Sequence, residues 1–402
     1  MIIILVALLM LIGVIVLLDV IPIFSTWLDR IHIGRYKNTA IWNERISKTS
    51  LKWLNNTPKI KVTDNSRLIF LDILKGNYSN KNIQYWQEAA LLLGMSEKNK
   101  YIDDKKVKRE INRFLKRKFD NNGQWINKPV HVDAAILAYS VMKLDFIDVG
   151  QYRKAFDYTW ELIKDHIGHD GTVGYRKSMM DYRYVDTIGF ICPFLVAYGA
   201  RYKQEECIKL ALKQLESYRN NGFHNNVSIP YHAFNIKENV PQGLCGWGRG
   251  IGWYAIGLMD TWNELSETSL YKPILKKHII EFSKMIIKYQ NENGSWNWTI
   301  TRKECRPDSS TTATLTWFLK HAEQIEVISF ECKESSKNGI EYLIGVTRKN
   351  GKVDYSQGDT KDIGVYSMQF NVLPFTQGFC LRVINLMKEK GLFKGNDKRY
   401  IS

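Results

Sequence analysis

Two aspartates stand directly before apolar stretches of helical character: Asp133 in His131-Val132-Asp133-Ala134-Ala135, and Asp186 in Tyr184-Val185-Asp186-Thr187-Ile188. Aspartate is a preferred helix N-cap, so each has a capping reading beside a chemical one. Asp186 has Tyr182, Tyr184, Ile188 and Phe190 around it in sequence. A carboxyl held among such groups has its charged form desolvated, which favours the protonated acid. If Asp133 lies close by, the pair resists double ionisation and keeps that proton in place. One acid working with a second carboxylate is the equipment of glycoside hydrolysis and related additions.

A third stretch, Gly246-Trp247-Gly248-Arg249-Gly250-Ile251-Gly252-Trp253-Tyr254, alternates glycines with indoles and a guanidinium. Glycine serves where the backbone takes φ > 0 or is approached closely. Tryptophan with arginine suits a flat ligand carrying a carboxylate; the other reading is a glycine-rich turn whose tryptophans plug the core. Tyr231-His232-Ala233-Phe234-Asn235 precedes this motif, with His232 either touching substrate or serving as a structural loop histidine. His131, two residues before Asp133, reads as a supporting group, and Asp308 before Ser309-Ser310-Thr311-Thr312 reads as an N-cap. No histidine or carboxylate spacing forms a metal box, and no Ser-His-Asp or P-loop pattern is present, so no cofactor is expected.

The elements that must bring these residues together repeat. Asn122-Gly123, Asp170-Gly171, Asn221-Gly222, Asn293-Gly294 and Asn350-Gly351 are turn signals that call for positive φ, each following a helix-like segment and leading through a short β-like piece to another helix. The apolar candidates Asp133 to Leu144, Ile188 to Tyr202, Ile251 to Leu265, Ser309 to Ala322 and Gln377 to Lys388 read as inner helices. The amphipathic, lysine-bearing Tyr152 to Ile163, Glu205 to Tyr218 and Pro273 to Tyr289 read as outer ones. Five or six such hairpins closed in a ring make an all-α (α/α) barrel with short β-hairpin-like turns. The rival, an open superhelix, has shorter and more regular repeats. In the closed form, the residues just before each inner helix line one cleft.

Composition narrows the partners. With 45% hydrophobic and 12% aromatic residues the chain is globular, and 57 basic against 41 acidic residues give a net charge of +16. Such a balance favours polyanions: anionic lipid, nucleic acid or an acidic sugar. Ile2 to Leu18 is unbroken apolar sequence that resumes after Asp19 as far as Phe24. That length approaches a membrane span, and neither a basic n-region nor a small-residue cleavage site accompanies it, so an uncleaved single-pass anchor is expected. Arg30, Arg35 and Lys37 follow the span, placing the globular part in the cytoplasm by the positive-inside rule. Six cysteines without CxxC pairing offer no disulfide or zinc framework. The expected division is an anchor over 1–24, a connector over 25–66 in which Trp42 and Trp53 pack on something, and a barrel over 67–402.

Val185-Asp186 with Phe190 and Pro193-Phe194-Leu195, then Tyr231-His232, then Trp247-Gly248-Arg249-Gly250-Ile251-Gly252-Trp253 together resemble the unsaturated uronyl hydrolases of glycoside hydrolase families 88 and 105. The resemblance runs from about Trp86 to Met387. It implies an (α/α)6 barrel, no metal or organic cofactor, and an acidic oligosaccharide ending in an unsaturated uronate as substrate. Asp186 matches the general acid/base and Asp133 the second aspartate. His232, Trp247, Arg249 and Trp253 match substrate-contacting positions, with Tyr184 and His131 as further contacts. The chain departs from the pattern at Ile251, where the family commonly has Asn, and in carrying an anchor. Other readings stay open: a hydrolase of a saturated glycoside, a lyase using Tyr231 and His232, and a non-catalytic membrane-tethered polysaccharide-binding protein. Nucleic acid is not expected, since no DNA or RNA module accompanies the charge.

Overall fold

A computed structural model describes residues 2–60, 64–76, 84–101, 104–224 and 227–389. Residues 390–402, the end of the expected barrel, lie outside the described residues. Six inner helices close a ring: α4 (Tyr85–Tyr101), α6 (Ala134–Met142), α8 (Val185–Tyr202), α10 (Gly248–Glu264), α12 (Ser309–Ala322) and α14 (Pro374–Glu389). Each packs on the next, and α14 returns to α4. An open superhelix is thereby excluded.

Outside the ring lie α2 (Thr39–Asn55), α5 (Lys105–Lys118), α7 (Arg153–Lys164), α9 (Glu205–Asn221), α11 (Lys272–Lys288) and α13 (Ser329–Gly345), each against inner helices. The two layers differ as their sequences do. Nearly every residue of α12 is buried, whereas α9 buries only the stripe Cys207, Leu210, Ala211, Gln214, Leu215 and Tyr218 and leaves its lysines outside. The architecture is an (α/α)6 barrel.

The stretch expected as a connector therefore holds the sixth outer helix. α2 packs on α14, α4 and α5, with Trp42 buried and its indole N–H donated to Thr347 Oγ1 at 2.9 Å. Its scattered polar residues, several of them buried, obscure the apolar stripe. Among the turn glycines, Gly123, Gly171, Gly294 and Gly351 have φ between +72° and +83°. Gly222 instead sits at φ −96°, and there a Cβ would meet the Tyr218 ring at 2.5 Å.

Inner helices begin at one end of the ring, and the turns from the outer helices deliver them there. At that end β1 (Tyr182–Tyr184) and β4 (Val240–Cys245) flank β3 (Ile229–Asn235) in antiparallel pairing, and β2 (Phe223–His224) pairs with the start of β3. A long loop between α13 and α14, pinned by the short pair β5 (Ser356–Gln357) and β6 (Phe370–Asn371), crosses the same end. Near the C-terminal ends of the inner helices, Arg382 of α14 binds both oxygens of Asp260 on α10, at 3.0 and 3.1 Å, and Glu97 of α4 at 2.8 Å. The ring is tied shut there.

Before the barrel, α1 (Ile2–Arg30) is long and apolar enough to cross a membrane, with a mean hydropathy of 3.2 over its best window and none of that window buried. A short helix, α3 (Ile69–Leu74), packs against it.

Candidate active site

Where the inner helices begin, a cleft opens. Its wall includes Asp186, His232, Trp247, Arg249, Trp253 and Tyr184, six of the eight residues singled out in the sequence. Three of them come from the motif region. Gly246 takes φ +83°, which an L side chain rarely adopts, and turns the chain from β4 into α10. A Cβ on Gly248 or Gly252 would collide with Thr311 or Thr314 of α12, so these glycines let α10 lie close on its neighbour. The helix starts at Gly248 rather than at Ile251, which puts Arg249 and Gly250 in its first turn.

Asp186 likewise lies in the first turn of α8 rather than before it. Its side chain is partly exposed to the cleft, and its Oδ2 is buried without a hydrogen bond among the described residues. His232 Nε2 stands 3.5 Å from that oxygen. The other ring nitrogen, Nδ1, is 2.9 Å from the Tyr366 hydroxyl, which accepts from the Leu244 N–H at 2.9 Å. In the tautomer in which the Tyr366 O–H donates to Nδ1, Nε2 carries the hydrogen toward Asp186.

Asp133 sits at the N-cap position of α6 with φ −62° and ψ −17°, and its carboxyl makes no capping hydrogen bond. That carboxyl is buried one layer behind the cleft wall, in electrostatic contact with Tyr175 and Asp359, which line it. Burial pushes it up to about 7 from the ordinary 3.8, with Asp359 adding to the rise and the backbone at Asp133 and Ala134 opposing it. His131 is exposed, is not part of the wall, and faces Tyr175 at a ring separation of 6.4 Å.

A third carboxylate, Asp359, completes the group and was not anticipated. It is buried on the long loop, accepts from Gln84 Nε2 at 3.0 Å and from the Thr360 N–H at 2.9 Å. Burial raises its proton affinity, opposed by Arg249 and reinforced by Asp186. Electrostatics thus link Asp133 to Asp359 and Asp359 to Asp186. The signal in the sequence was slight: a long loop without hydrophobic period, of the kind that in a compact domain is usually functional.

Arg249 holds that loop. Its guanidinium is 1% exposed and donates to Gln357 O at 2.7 Å, Gly358 O at 2.8 Å and Thr360 Oγ1 at 3.0 Å. Trp247 donates its indole N–H to Gln357 Oε1 at 3.0 Å, while its ring lies 4.4 Å from His232. Trp253 packs deeper, between Phe190, Phe375 and Trp86. Tyr184 reaches the loop through its hydroxyl, 3.3 Å from Asp362 Oδ1. Two cations on the wall, Arg176 and Lys361, have no ion-pair partner among the described residues. Asp308 caps α12, accepting from the Ser310 and Thr311 N–H groups, and also takes the Gln357 N–H at 2.8 Å. All six cysteines are free. Among the described residues no three His, Cys, Asp or Glu side chains are grouped to hold a metal ion.

The same architecture recurs in solved structures. A possible family 105 member from Klebsiella pneumoniae superposes with a TM-score of 0.74 at 12% identity, covering 89% of this chain and 95% of that one. A family 105 glycoside hydrolase from C. acetobutylicum gives 0.68 at 18% identity, over 79% and 97% of the two chains. An unsaturated glucuronyl hydrolase from Bacillus sp. GL1, responsible for the degradation of glycosaminoglycan, gives 0.62 at 14% identity, over 86% and 95%. These likenesses concern the fold. No curated protein sequence matches. The model of Glycosyl Hydrolase Family 88 matches residues 55–382, which is most of the chain. The protein is therefore a glycoside hydrolase belonging to family 88.

Proposed function

We propose that the protein hydrates the C4=C5 double bond of an unsaturated uronate at the end of an acidic oligosaccharide, and so releases that uronate. The observation that carries the reading is Asp186, set in a tryptophan-walled cleft with Asp359 on the same wall and Asp133 behind it. Burial raises the proton affinity of both Asp359 and Asp133, and their mutual repulsion opposes ionisation of the two together. Of these three, Asp186 combines a place on the wall, a side chain partly exposed to the cleft and an oxygen without a hydrogen bond among the described residues. One similar structure is an unsaturated glucuronyl hydrolase specific for heparin, which agrees with this chemistry.

Asp186 gives its proton to C4, and the ring oxygen stabilises the cation that develops at C5. The Asp186 carboxylate then takes a proton from a water as its oxygen bonds to C5. The resulting hemiketal opens to a ketone, C1 becomes a hemiacetal, and its collapse to an aldehyde expels the next sugar. His232 donates toward Asp186 and steadies the carboxylate between the two steps. Trp247 flanks the sugar ring. Arg249 acts through the loop it holds, which leaves Arg176 and Lys361 to meet the substrate's carboxylate.

Residues 1–24 form the anchor in this reading, the barrel begins with α2, and the basic residues after α1 put it on the cytoplasmic side. The test is turnover of lyase-generated unsaturated disaccharides, followed by loss of the ultraviolet absorbance of the conjugated double bond. Wild type is run beside Asp186→Asn. Loss of absorbance with wild type alone is expected, with Asn costing at least about a thousandfold in kcat while sugar binding persists. Undiminished turnover by Asp186→Asn removes that residue from its role, and no loss by folded wild type removes the reaction.

A further inference from the structure

We propose that the barrel is seated on the bilayer crossed by α1, with α3 lying in the headgroup layer and the cleft-bearing end of the barrel turned toward the lipid surface. The inference rests on the membrane reading of α1 and is independent of the sugar chemistry.

α3 is short and two-faced. Ile69 and Asp72 are buried, while Leu68, Leu71, Ile73 and Leu74 are 52%, 39%, 46% and 79% exposed. Arg67 and Lys75 flank this apolar edge and are exposed, as basic residues beside an anionic headgroup layer are. α1 explains where the edge sits. Asp19, the one charge within the apolar run, accepts the Leu68 and Ile69 N–H groups at 2.7 and 2.9 Å. A carboxylate near the membrane boundary is thereby supplied with donors, and α3 is fixed at its depth. From Ile2 to Phe24 the helix rises about 34 Å, close to the hydrocarbon thickness of about 30 Å. Asp19 then lies about 7 Å inside Phe24, within the 5–10 Å to which interfacial helices sink. Trp27, 58% exposed and stacked on Phe24, stands where indoles gather at a lipid surface.

The same elements grip the loop that carries Asp359. Arg30 at the end of α1 binds Asp354 Oδ2 at 2.7 Å and Phe370 O at 3.2 Å, and Asp29 takes Arg348 and Lys352 at 3.1 Å each. Asp64, just before α3, accepts from Ser367 Oγ at 2.6 Å and from the Met368 N–H at 3.1 Å. Val365 and Met368, which follow the cleft residues 359–362 on that loop, are 50% and 62% exposed. One rigid joint thus connects anchor, interfacial helix and active-site loop. Phe330, 73% exposed at the start of outer helix α13, lies at the opposite end of the barrel and serves as the reference position.

The test uses the full chain in phosphatidylcholine–phosphatidylglycerol vesicles, with an environment-sensitive fluorescent amino acid placed in turn at Leu74, Ile12 and Phe330. Nitroxide lipids labelled near the headgroup or deep in the acyl chain serve as quenchers. Quenching at Leu74 by the shallow nitroxide, several-fold above that at Phe330, together with quenching at Ile12 by the deep one, is expected. If Ile12 is quenched and Leu74 is no more so than Phe330, α3 is not in lipid and the proposal fails while the span stands. A blue-shifted but unquenched Leu74 signals a protein cover and likewise overturns it. No quenching at Ile12 removes the span itself and the proposal with it.

Discussion

Asp133→Asn should make the protein more stable as it makes it inactive, and the gain should depend on pH. The carboxyl has an ordinary value of 3.8 and is pushed up to about 7 by burial in the fold. Below about pH 4 both folded and unfolded chains hold the proton, and the residue contributes nothing. From there to about pH 7 the unfolded chain releases it while the folded one keeps it, so the wild type loses stability as pH rises. Each unit corresponds to about 1.4 kcal/mol, giving a total penalty of about 4 kcal/mol above pH 7. An amide of the same shape carries no such penalty. The advantage of Asn should therefore grow by about 2 kcal/mol between pH 5.5 and pH 8 and then level off. At about 2 cal/mol/K per residue of unfolding entropy, that increment shifts the melting temperature by about 3 °C. Asp359 is also raised by burial and is coupled to Asp133, so the difference between the two proteins reports residue 133 together with that coupling. Thermal melts of wild type and variant in one detergent across this pH range measure it. A difference that is flat with pH, or an Asn variant less stable than wild type at pH 8, refutes the burial argument.

Arg249→Lys keeps the charge but offers one point donor where three bonds hold the loop. kcat/KM should fall about a hundredfold, roughly 3 kcal/mol, and limited proteolysis should cut between 357 and 362 faster; an unchanged cleavage rate would count against the loop-holding role. Tyr366→Phe leaves His232 Nδ1 and the Leu244 N–H without their shared partner. It should lower kcat about tenfold, and an unchanged kcat would show that His232 does not depend on Tyr366. Ile251 is fully buried in the core on α10. Ile251→Asn should destabilise by about 3 kcal/mol in a thermal melt while leaving kcat within a few-fold, since the amide finds apolar neighbours and no substrate.

Residues set by their own local sequence were legible. Asp133, Asp186, Trp247 and Arg249 each sit within a residue or two of an inner-helix start, which helical periodicity locates to within about one turn. Asp359 was not, because its place depends on bonds to Gln84 and on Arg249 holding the adjoining carbonyls, partners more than a hundred residues away. The same blindness applied to Arg249, whose surroundings in sequence pointed to a ligand carboxylate and whose donors go to two backbone carbonyls and the Thr360 hydroxyl. α2 escaped for a different reason. Its hydrophobic stripe is thin, and what identifies it as part of the barrel is the α4–α14 seam it covers, which does not exist until the ring closes.

That seam also bears on how the protein is made. Asn385 Nδ2 donates to Gly94 O at 2.9 Å across 291 residues of chain, and the Phe375 N–H donates to Gln87 Oε1 across 288. At ribosomal speeds of about 5–20 residues per second, the first inner helix waits roughly 15–60 s for the last. During that interval the apolar flank of α4, with Trp86 and Leu91, has no partner, and non-local contacts of this length are slow to form even afterwards. Substitutions in α14 should therefore register first in the yield of newly synthesised protein, before any effect on the melting point of molecules that have already closed.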